Sequence, residues 1–218
     1  KDFYDNFQIS REAFEEIEDY VSLNLKKIIF EDSGNLLNIT KYTQISIFAS
    51  SILIFKAYLS ETGLELKSIN SMLGHSLGEY TALACSDKLS LKDCSIILKK
   101  RGDLMNDAIS PNKTGMVALI GLGSSEIQNI IDQNKINIEI ANDNSPIQVV
   151  ISGDLKDLEN SREIFLKNNV KKYVLLNVSS AFHSRFMINA QKTLNEYLED
   201  LNFNQNKINI ISNYSANI

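Results

Sequence analysis

The chain has 218 residues, 44% of them hydrophobic and 22% charged, a composition typical of a globular enzyme with one sizeable core. Its 22 basic and 27 acidic residues give a net charge of −5, which argues against a nucleic-acid-binding surface. Polar residues interrupt the longest apolar stretches, so no membrane span is expected. Cys85 and Cys94 lack the spacing and the histidine neighbours of a zinc site, so we expect two buried thiols and no metal.

The first half of the chain is dominated by helical patterns. The hydrophobic periodicity predicts helices over 11–20, 41–60, 77–86 and 91–109, and a short strand over 68–73. Ser10 is expected to cap the first helix. The second helix is apolar on all sides and is therefore expected to be buried.

The second half changes to alternating strands and helices. Strands are predicted over 116–120, 136–140, 148–152 and 172–178, and helices over 124–134 and 155–168, with a turn at 142–146. This β-α-β-β-α-β order is the ferredoxin-like pattern. A helix over about 184–200 and a strand over 207–212 then return to the larger unit. We therefore predict an α/β layer domain from 1–114 and 181–218, with a ferredoxin-like subdomain, 115–180, inserted in it.

Residues 74–80 read GHSLGEY between the predicted strand and a predicted helix. This is the pattern of a nucleophile elbow, in which a sharp strand-to-helix turn exposes a serine hydroxyl. Ser76 is the candidate nucleophile, and the glycines on either side are expected to allow the strained turn and close helix packing. The Leu77 N–H lies at the helix N-terminus, where it can donate to a developing oxyanion.

A serine nucleophile needs a base, and the chain has only two histidines. His75 precedes the serine at a strand end, where neighbouring side chains point to opposite faces, so we expect a structural role for it. His183 follows the last strand of the predicted insert, and its position after the serine matches the order of α/β hydrolases. No acidic residue between Ser76 and His183 is distinguished as the partner of the histidine, and a carbonyl acceptor would suffice to orient the imidazole N–H.

Arg101 lies within the apolar stripe of the predicted helix 91–109 and is expected to face inward. An arginine in that position needs a partner, because an unpaired buried guanidinium is unfavourable. We expect a structural salt bridge, a buried stem whose charged end reaches the surface, or a clamp for a substrate carboxylate, whose shape the planar guanidinium matches.

Four segments occur in order along the chain: GHSLGEY, RGDLM at 101–105, ANDNSPIQVVISG at 141–153 and VSSAFHS at 178–184. Together they resemble the malonyl-CoA:acyl carrier protein transacylase family, the acyltransferases of fatty-acid and polyketide synthesis, over essentially the whole chain. The resemblance implies an α/β-hydrolase-like domain with a ferredoxin-like insert. It implies transfer of a malonyl group from malonyl-CoA to the phosphopantetheine thiol of acyl carrier protein. It further implies no bound cofactor and a cytoplasmic location, or an organelle if the source is eukaryotic.

The same resemblance implies roles for the reacting groups. Ser76 would accept the malonyl group as an ester and Leu77 N–H would donate to the oxyanion. His183 would act as base and then acid, oriented by backbone carbonyls instead of a carboxylate.

Three residues are implied to bind the substrate. Arg101 would hold the malonyl carboxylate, and Phe182 would narrow the pocket against branched malonates. Gln44 matches a family motif near the site, although Ile45 replaces the usual proline.

The chain also departs from the family pattern at both ends. No strand and glycine- and glutamine-rich loop for the second oxyanion amide precedes Lys1, and no glutamine-containing segment follows Ile218, so we expect a fragment of a longer enzyme. Three alternatives stay open: an acyltransferase domain of a polyketide synthase, a plain serine hydrolase, which the inward Arg101 argues against, and a non-catalytic carrier-protein-binding relic.

Overall fold

The computed structural model describes residues 1–109 and 113–218, which form two compact units. The larger unit comprises Lys1–Asp103 and Leu194–Ile218, and the smaller comprises Leu104–Thr193. The α-helices are α1 (Asp2–Asn6), α2 (Gln8–Val21), α3 (Thr40–Thr62), α4 (Gly78–Cys85), α5 (Leu91–Asp107), α6 (Ser124–Gln133), α7 (Leu155–Lys167) and α8 (Ile188–Leu198). The strands are β1 (Ser71–Leu73), β2 (Thr114–Ile120), β3 (Ile138–Ser145), β4 (Gln148–Asp154), β5 (Lys172–Leu175) and β6 (Asn209–Ile211).

The core of the larger unit is mainly helical. The fully buried side chains of Phe14 and Ile17 on α2 pack in one cluster with Phe48 of α3 and Leu98 of α5. Ser10, predicted as a helix cap, instead lies inside α2, and its buried Oγ donates to the Leu53 carbonyl oxygen at 2.7 Å. That prediction was wrong because α2 begins earlier, at Gln8.

Helix α3 corrects the expectation that no apolar stretch is long enough to span a membrane. By length and composition alone, its 23 residues could do so. Its buried residues, however, pack in the same core cluster as α2 and α5. A core helix of this kind passes the same length and composition test.

Strands β1 and β6 pair in parallel, with Met72 opposite Ile210. Each strand has three residues, shorter than predicted. Since both strands run in the same direction, the loops that follow them begin at the same edge of the sheet. The elbow segment follows β1 and residue 212 follows β6 at that edge.

The smaller unit is a four-stranded antiparallel sheet in the order β3-β4-β2-β5. Alternate residues of β2 point to opposite faces, as the strand period of two requires. Val117 and Leu119 pack with helices α6 and α7, whereas Met116 and Ala118 form a separate cluster on the other face. The observed element order confirms the predicted β-α-β-β-α-β pattern.

The predicted turn at 142–146 was wrong in extent. Strand β3 continues to Ser145, and the turn contains only Pro146 and Ile147. The Asn- and Asp-rich segment is typical of a turn, but pairing with β4 holds it extended, with register shifts near Asn142 and Ser145.

Candidate active site

The segment after β1 forms the sharp turn that the sequence pattern predicts. Ser76 has a φ of +52°, in the left-handed region that non-glycine residues rarely adopt. Gly74 is required by close packing, since a Cβ there would lie 2.0 Å from the carbonyl oxygen of Gly78. A Cβ at Gly78 would meet no described atom within 4 Å, so the expected close packing at the second glycine is not seen in the described residues.

Helix α4 starts directly after the serine. Leu77 is its N-cap residue and already has helical angles, with φ −60° and ψ −24°. The Gly78 N–H donates to the His75 carbonyl oxygen at 2.8 Å, which closes the turn. A helical Leu77 directs its N–H toward the N-terminal side of the helix, the orientation that an oxyanion donor needs.

Arg101 contacts the candidate nucleophile directly. Its Nη2 donates to Ser76 Oγ at 2.9 Å, and its Nη1 donates to Gln44 Oε1 at 2.5 Å. Gln44 is 4% exposed, so its amide is held in the core of α3. The close approach of α5 to α3 at Gly102, where a Cβ would lie 3.0 Å from Lys41 Cα, brings these side chains within reach. The structure therefore brings Gln44, Ser76 and Arg101 together.

The Arg101 side chain is partly buried. Burial lowers the pKa of the Arg101 guanidinium, and the nearby Tyr80 acts in the opposite direction. The Arg101 Cζ lies 5.9 Å from the centroid of the Tyr80 ring, a cation–π distance. Burial in turn raises the pKa of Tyr80, so its neutral ring is the form beside the guanidinium. Because an arginine side chain does not deprotonate in proteins, the site holds a fixed positive charge next to Ser76.

Two residues that the sequence reasoning missed, Asn213 and Glu79, also support the elbow. Asn213 Oδ1 accepts a hydrogen bond from the Ser76 N–H at 2.7 Å, and the Asn213 N–H donates to Glu79 Oε2 at 2.8 Å. A usable signal was present, because the carboxyl ends of neighbouring parallel strands share one edge of a sheet. Asn213 follows one predicted strand as Ser76 follows another.

His183 and Phe182 belong to the smaller unit. His183 has a φ of +55°, which again places a non-glycine residue in the left-handed region. Phe182 packs partly buried against the cluster of Met116, Ala118 and Val150 on one face of the sheet. Non-glycine residues with a positive φ, such as His183, persist only where surrounding contacts hold them, and they concentrate at functional sites.

The loop that carries His183 is held on both sides. Before it, the Ala181 N–H donates to Thr114 Oγ1 at 3.1 Å. After it, the Arg185 N–H and Nη1 donate to the two carboxylate oxygens of Glu139 at 2.7 and 2.8 Å. A charge-assisted pair with two hydrogen bonds restricts a loop more than a neutral bond does.

A cavity of about 700 Å³ lies beside the elbow within the larger unit. Its walls are largely apolar and include Ile47 and Phe55 of α3, Met72 of β1 and Cys85 of α4. No lysine or arginine is among the described residues that line it, so the fixed charge of Arg101 lies outside this cavity. In the described part of the chain, no group of three or more His, Cys, Asp or Glu residues could hold a metal ion.

Comparison with known proteins gives consistent matches over the whole chain. The sequence matches the acyl transferase domain family over residues 3–217. It is 31% identical to a malonyl CoA-acyl carrier protein transacylase of Bacillus subtilis, covering 100% of this chain and 68% of that protein.

Solved structures agree with the sequence match. The acyl-carrier-protein S-malonyltransferase of Bartonella henselae superposes with a TM-score of 0.90 at 33% identity, covering 98% of this chain and 69% of that one. A malonyl-transacylase in complex with a type II polyketide synthase acyl-carrier protein superposes with a TM-score of 0.89 at 28% identity, covering 99% and 69%. The chain therefore spans about two thirds of the length of these relatives.

Proposed function

Because this chain belongs to the acyl transferase domain family, we propose that it transfers a malonyl group from malonyl-CoA to the phosphopantetheine thiol of acyl carrier protein, in fatty-acid synthesis. The relatives named above are malonyl transacylases, and one was solved with its acyl-carrier protein. The proposed reaction uses side-chain and backbone groups only, with malonyl-CoA as substrate.

The contact between Arg101 and Ser76 is the observation that carries this proposal. A malonyl ester on Ser76 has its free carboxylate at the end of a short chain, close to the ester oxygen. A guanidinium whose Nη2 is already 2.9 Å from Ser76 Oγ is within reach of that carboxylate. An acetyl group offers no such anion, so the same geometry favours malonyl over acetyl transfer.

The reaction proceeds in two half-reactions. Ser76 Oγ attacks the thioester carbonyl while His183 takes its proton, and the Leu77 N–H stabilises the oxyanion. Collapse of the tetrahedral intermediate breaks the C–S bond, and coenzyme A leaves with the proton from His183. The carrier thiol then attacks the seryl ester, His183 takes the thiol proton and returns it to Ser76 Oγ, and the malonyl group leaves on the carrier.

The remaining predicted residues have supporting roles in this proposal. Gln44 orients Arg101 through the hydrogen bond to Nη1. Phe182 limits the width of the acyl pocket against branched substrates. The cytoplasmic location stays a prediction.

Labelled malonyl-CoA tests the proposal in the absence of carrier protein. We expect wild-type protein to retain label as an ester and Ser76→Ala to retain none. Arg101→Ala is expected to lose malonyl labelling much more than acetyl labelling, because only malonyl loses an ionic partner. Lys99→Ala is the matched control, since it removes a partly exposed cation of the same helix that pairs with Asp103.

Several outcomes would contradict the proposal. If Ser76→Ala is labelled as strongly as wild type, the malonyl group is not carried as an ester on Ser76. If Arg101→Ala loses malonyl and acetyl labelling equally, Arg101 does not bind the malonyl carboxylate. Rapid release of free malonate without carrier protein would indicate a hydrolase. Tight carrier binding without any ester would indicate a non-catalytic protein.

A further inference from the structure

The Ser76 backbone is tied to a distant part of the chain by one side chain. Asn213 lies just after β6, 137 positions from Ser76, and its Oδ1 accepts the Ser76 N–H at 2.7 Å. Its own N–H donates to Glu79 Oε2 at 2.8 Å. Asn213 therefore connects the elbow to the first turn of α4 across the edge where β1 and β6 end.

The position of this bond matters because of the conformation of Ser76. At φ +52° the Ser76 Cβ crowds the following carbonyl, so the residue tends to rotate back to a negative φ. Such a rotation changes the direction of both the N–H and the side chain. A hydrogen bond that fixes the N–H direction therefore opposes it, and it also keeps Oγ where Arg101 Nη2 reaches it at 2.9 Å.

Glu79 in turn restricts Asn213. A carboxylate accepting a backbone N–H makes a stronger, more directional bond than a neutral acceptor. The two bonds share one residue, so movement of the loop after β6 would break both.

We propose that Asn213 is a positioning residue that holds Ser76 in its left-handed conformation, with Glu79 fixing Asn213. The effect on acyl transfer rests on the proposed function, whereas the effect on the Ser76 backbone does not. Asn213 acts through Ser76 and needs no contact with the substrate.

Three substitutions in the full chain separate positioning from general stability. Asn213→Leu keeps the approximate shape but removes the acceptor, and Asn213→Asp keeps an acceptor. Asn204→Leu is the matched control, because Asn204 makes a comparable exposed bond from Nδ2 to the Asp87 carbonyl oxygen at 3.0 Å in the same unit.

Two measurements are made on each protein: hydrogen exchange of the Ser76 amide by NMR, and the single-turnover rate of Ser76 malonylation. We expect Asn213→Leu to speed exchange at least tenfold and to slow malonylation about 10–100-fold, the scale expected for displacement of a reacting group. Asn213→Asp is expected to stay within about fivefold of wild type, because the acceptor is retained. Asn204→Leu is expected to match wild type in both measurements.

The outcomes distinguish this proposal from the proposed function. Wild-type exchange and malonylation in Asn213→Leu would overturn it, and so would an Asn213→Asp protein as slow as Asn213→Leu. An equal loss in Asn204→Leu would show a general effect on folding and would also overturn it. If wild-type protein forms no ester, the proposed function fails, while the Ser76 exchange rates still decide the role of Asn213.

Discussion

The close contact between Gly74 and the first turn of α4 makes Gly74→Ala a sharp test of the elbow. The added Cβ would lie 2.0 Å from the Gly78 carbonyl oxygen and 2.7 Å from the Glu79 nitrogen. These are backbone atoms, so no side chain can rotate to relieve the overlap. Restoring an ordinary contact of 3.4 Å requires a relative backbone shift of about 1.4 Å next to Ser76. Since a displacement of about 1 Å can slow a reaction about 100-fold, we expect at least that loss in Ser76 malonylation.

Rapid-quench measurement of the Ser76 ester, normalised to the folded fraction from circular dichroism, provides the rate. Gly115→Ala is the control, because the single close contact of its Cβ would be with the end of the Leu155 side chain at 2.8 Å, which can rotate away, whereas the next atoms would lie at an ordinary 3.7 Å. We expect Gly115→Ala to acylate at close to the wild-type rate. A Gly74→Ala protein that is folded and acylates as fast as wild type would refute the argument that this turn fixes the nucleophile.

Three further predictions concern other contacts. Gln44→Leu removes the Oε1 acceptor that is hydrogen-bonded to Arg101 Nη1. Because a hydrogen bond to a charged group contributes about 1.5–3 kcal/mol, kcat/KM should fall about 10–100-fold for malonyl-CoA and much less for acetyl-CoA. Glu139→Gln weakens the pair with Arg185 and should slow single-turnover malonylation several-fold while shifting the free energy of unfolding by under about 1 kcal/mol in urea titrations. Burial raises the pKa of the Cys94 thiol from 9.0 to about 12. The contribution of the neutral thiol to the stability of the fold is therefore complete below pH 9 and is lost as the pH rises toward 12. Cys94→Ala should flatten the Tm–pH curve between pH 9 and 12.

Each of these has a result that would contradict it. Equal losses for both CoA esters in Gln44→Leu would mean that Gln44 does not act through the clamp. An unchanged acylation rate in Glu139→Gln would mean that the Arg185–Glu139 pair does not position the loop that carries His183. A Tm–pH curve of Cys94→Ala parallel to that of wild type would show that another group causes the alkaline decline.

Much of the local structure could be predicted from the sequence. The GHSLGEY motif predicted the turn between a strand and a helix, and the predicted strands and helices after residue 115 matched the β-α-β-β-α-β order of the smaller unit. Element bounds were less accurate where tertiary contacts overrode local preference. Cross-strand pairing extended β3 through an Asn- and Asp-rich segment, and Ser10 was buried by α3 instead of capping α2.

The candidate site divides in the same way. Ser76, His183 and Arg101 could be selected by residue type and position, because elbow motifs, loop histidines and inward arginines carry their chemistry locally. The roles in acyl transfer of all six predicted site residues stay predictions: Gln44, Ser76, Leu77, Arg101, Phe182 and His183.

The sequence by itself therefore determined the element order and the chemical groups, since periodicity and turn chemistry act over a few residues. Tertiary structure decided which groups meet around Ser76. The Ser76 hydroxyl accepts a hydrogen bond from Arg101, 25 positions away, and Arg101 donates another to Gln44, 57 positions away. The Ser76 N–H donates to Asn213, 137 positions away. These contacts depend on the packing of α5 against α3 at Gly102 and on the pairing of β1 with β6, which no local pattern specifies.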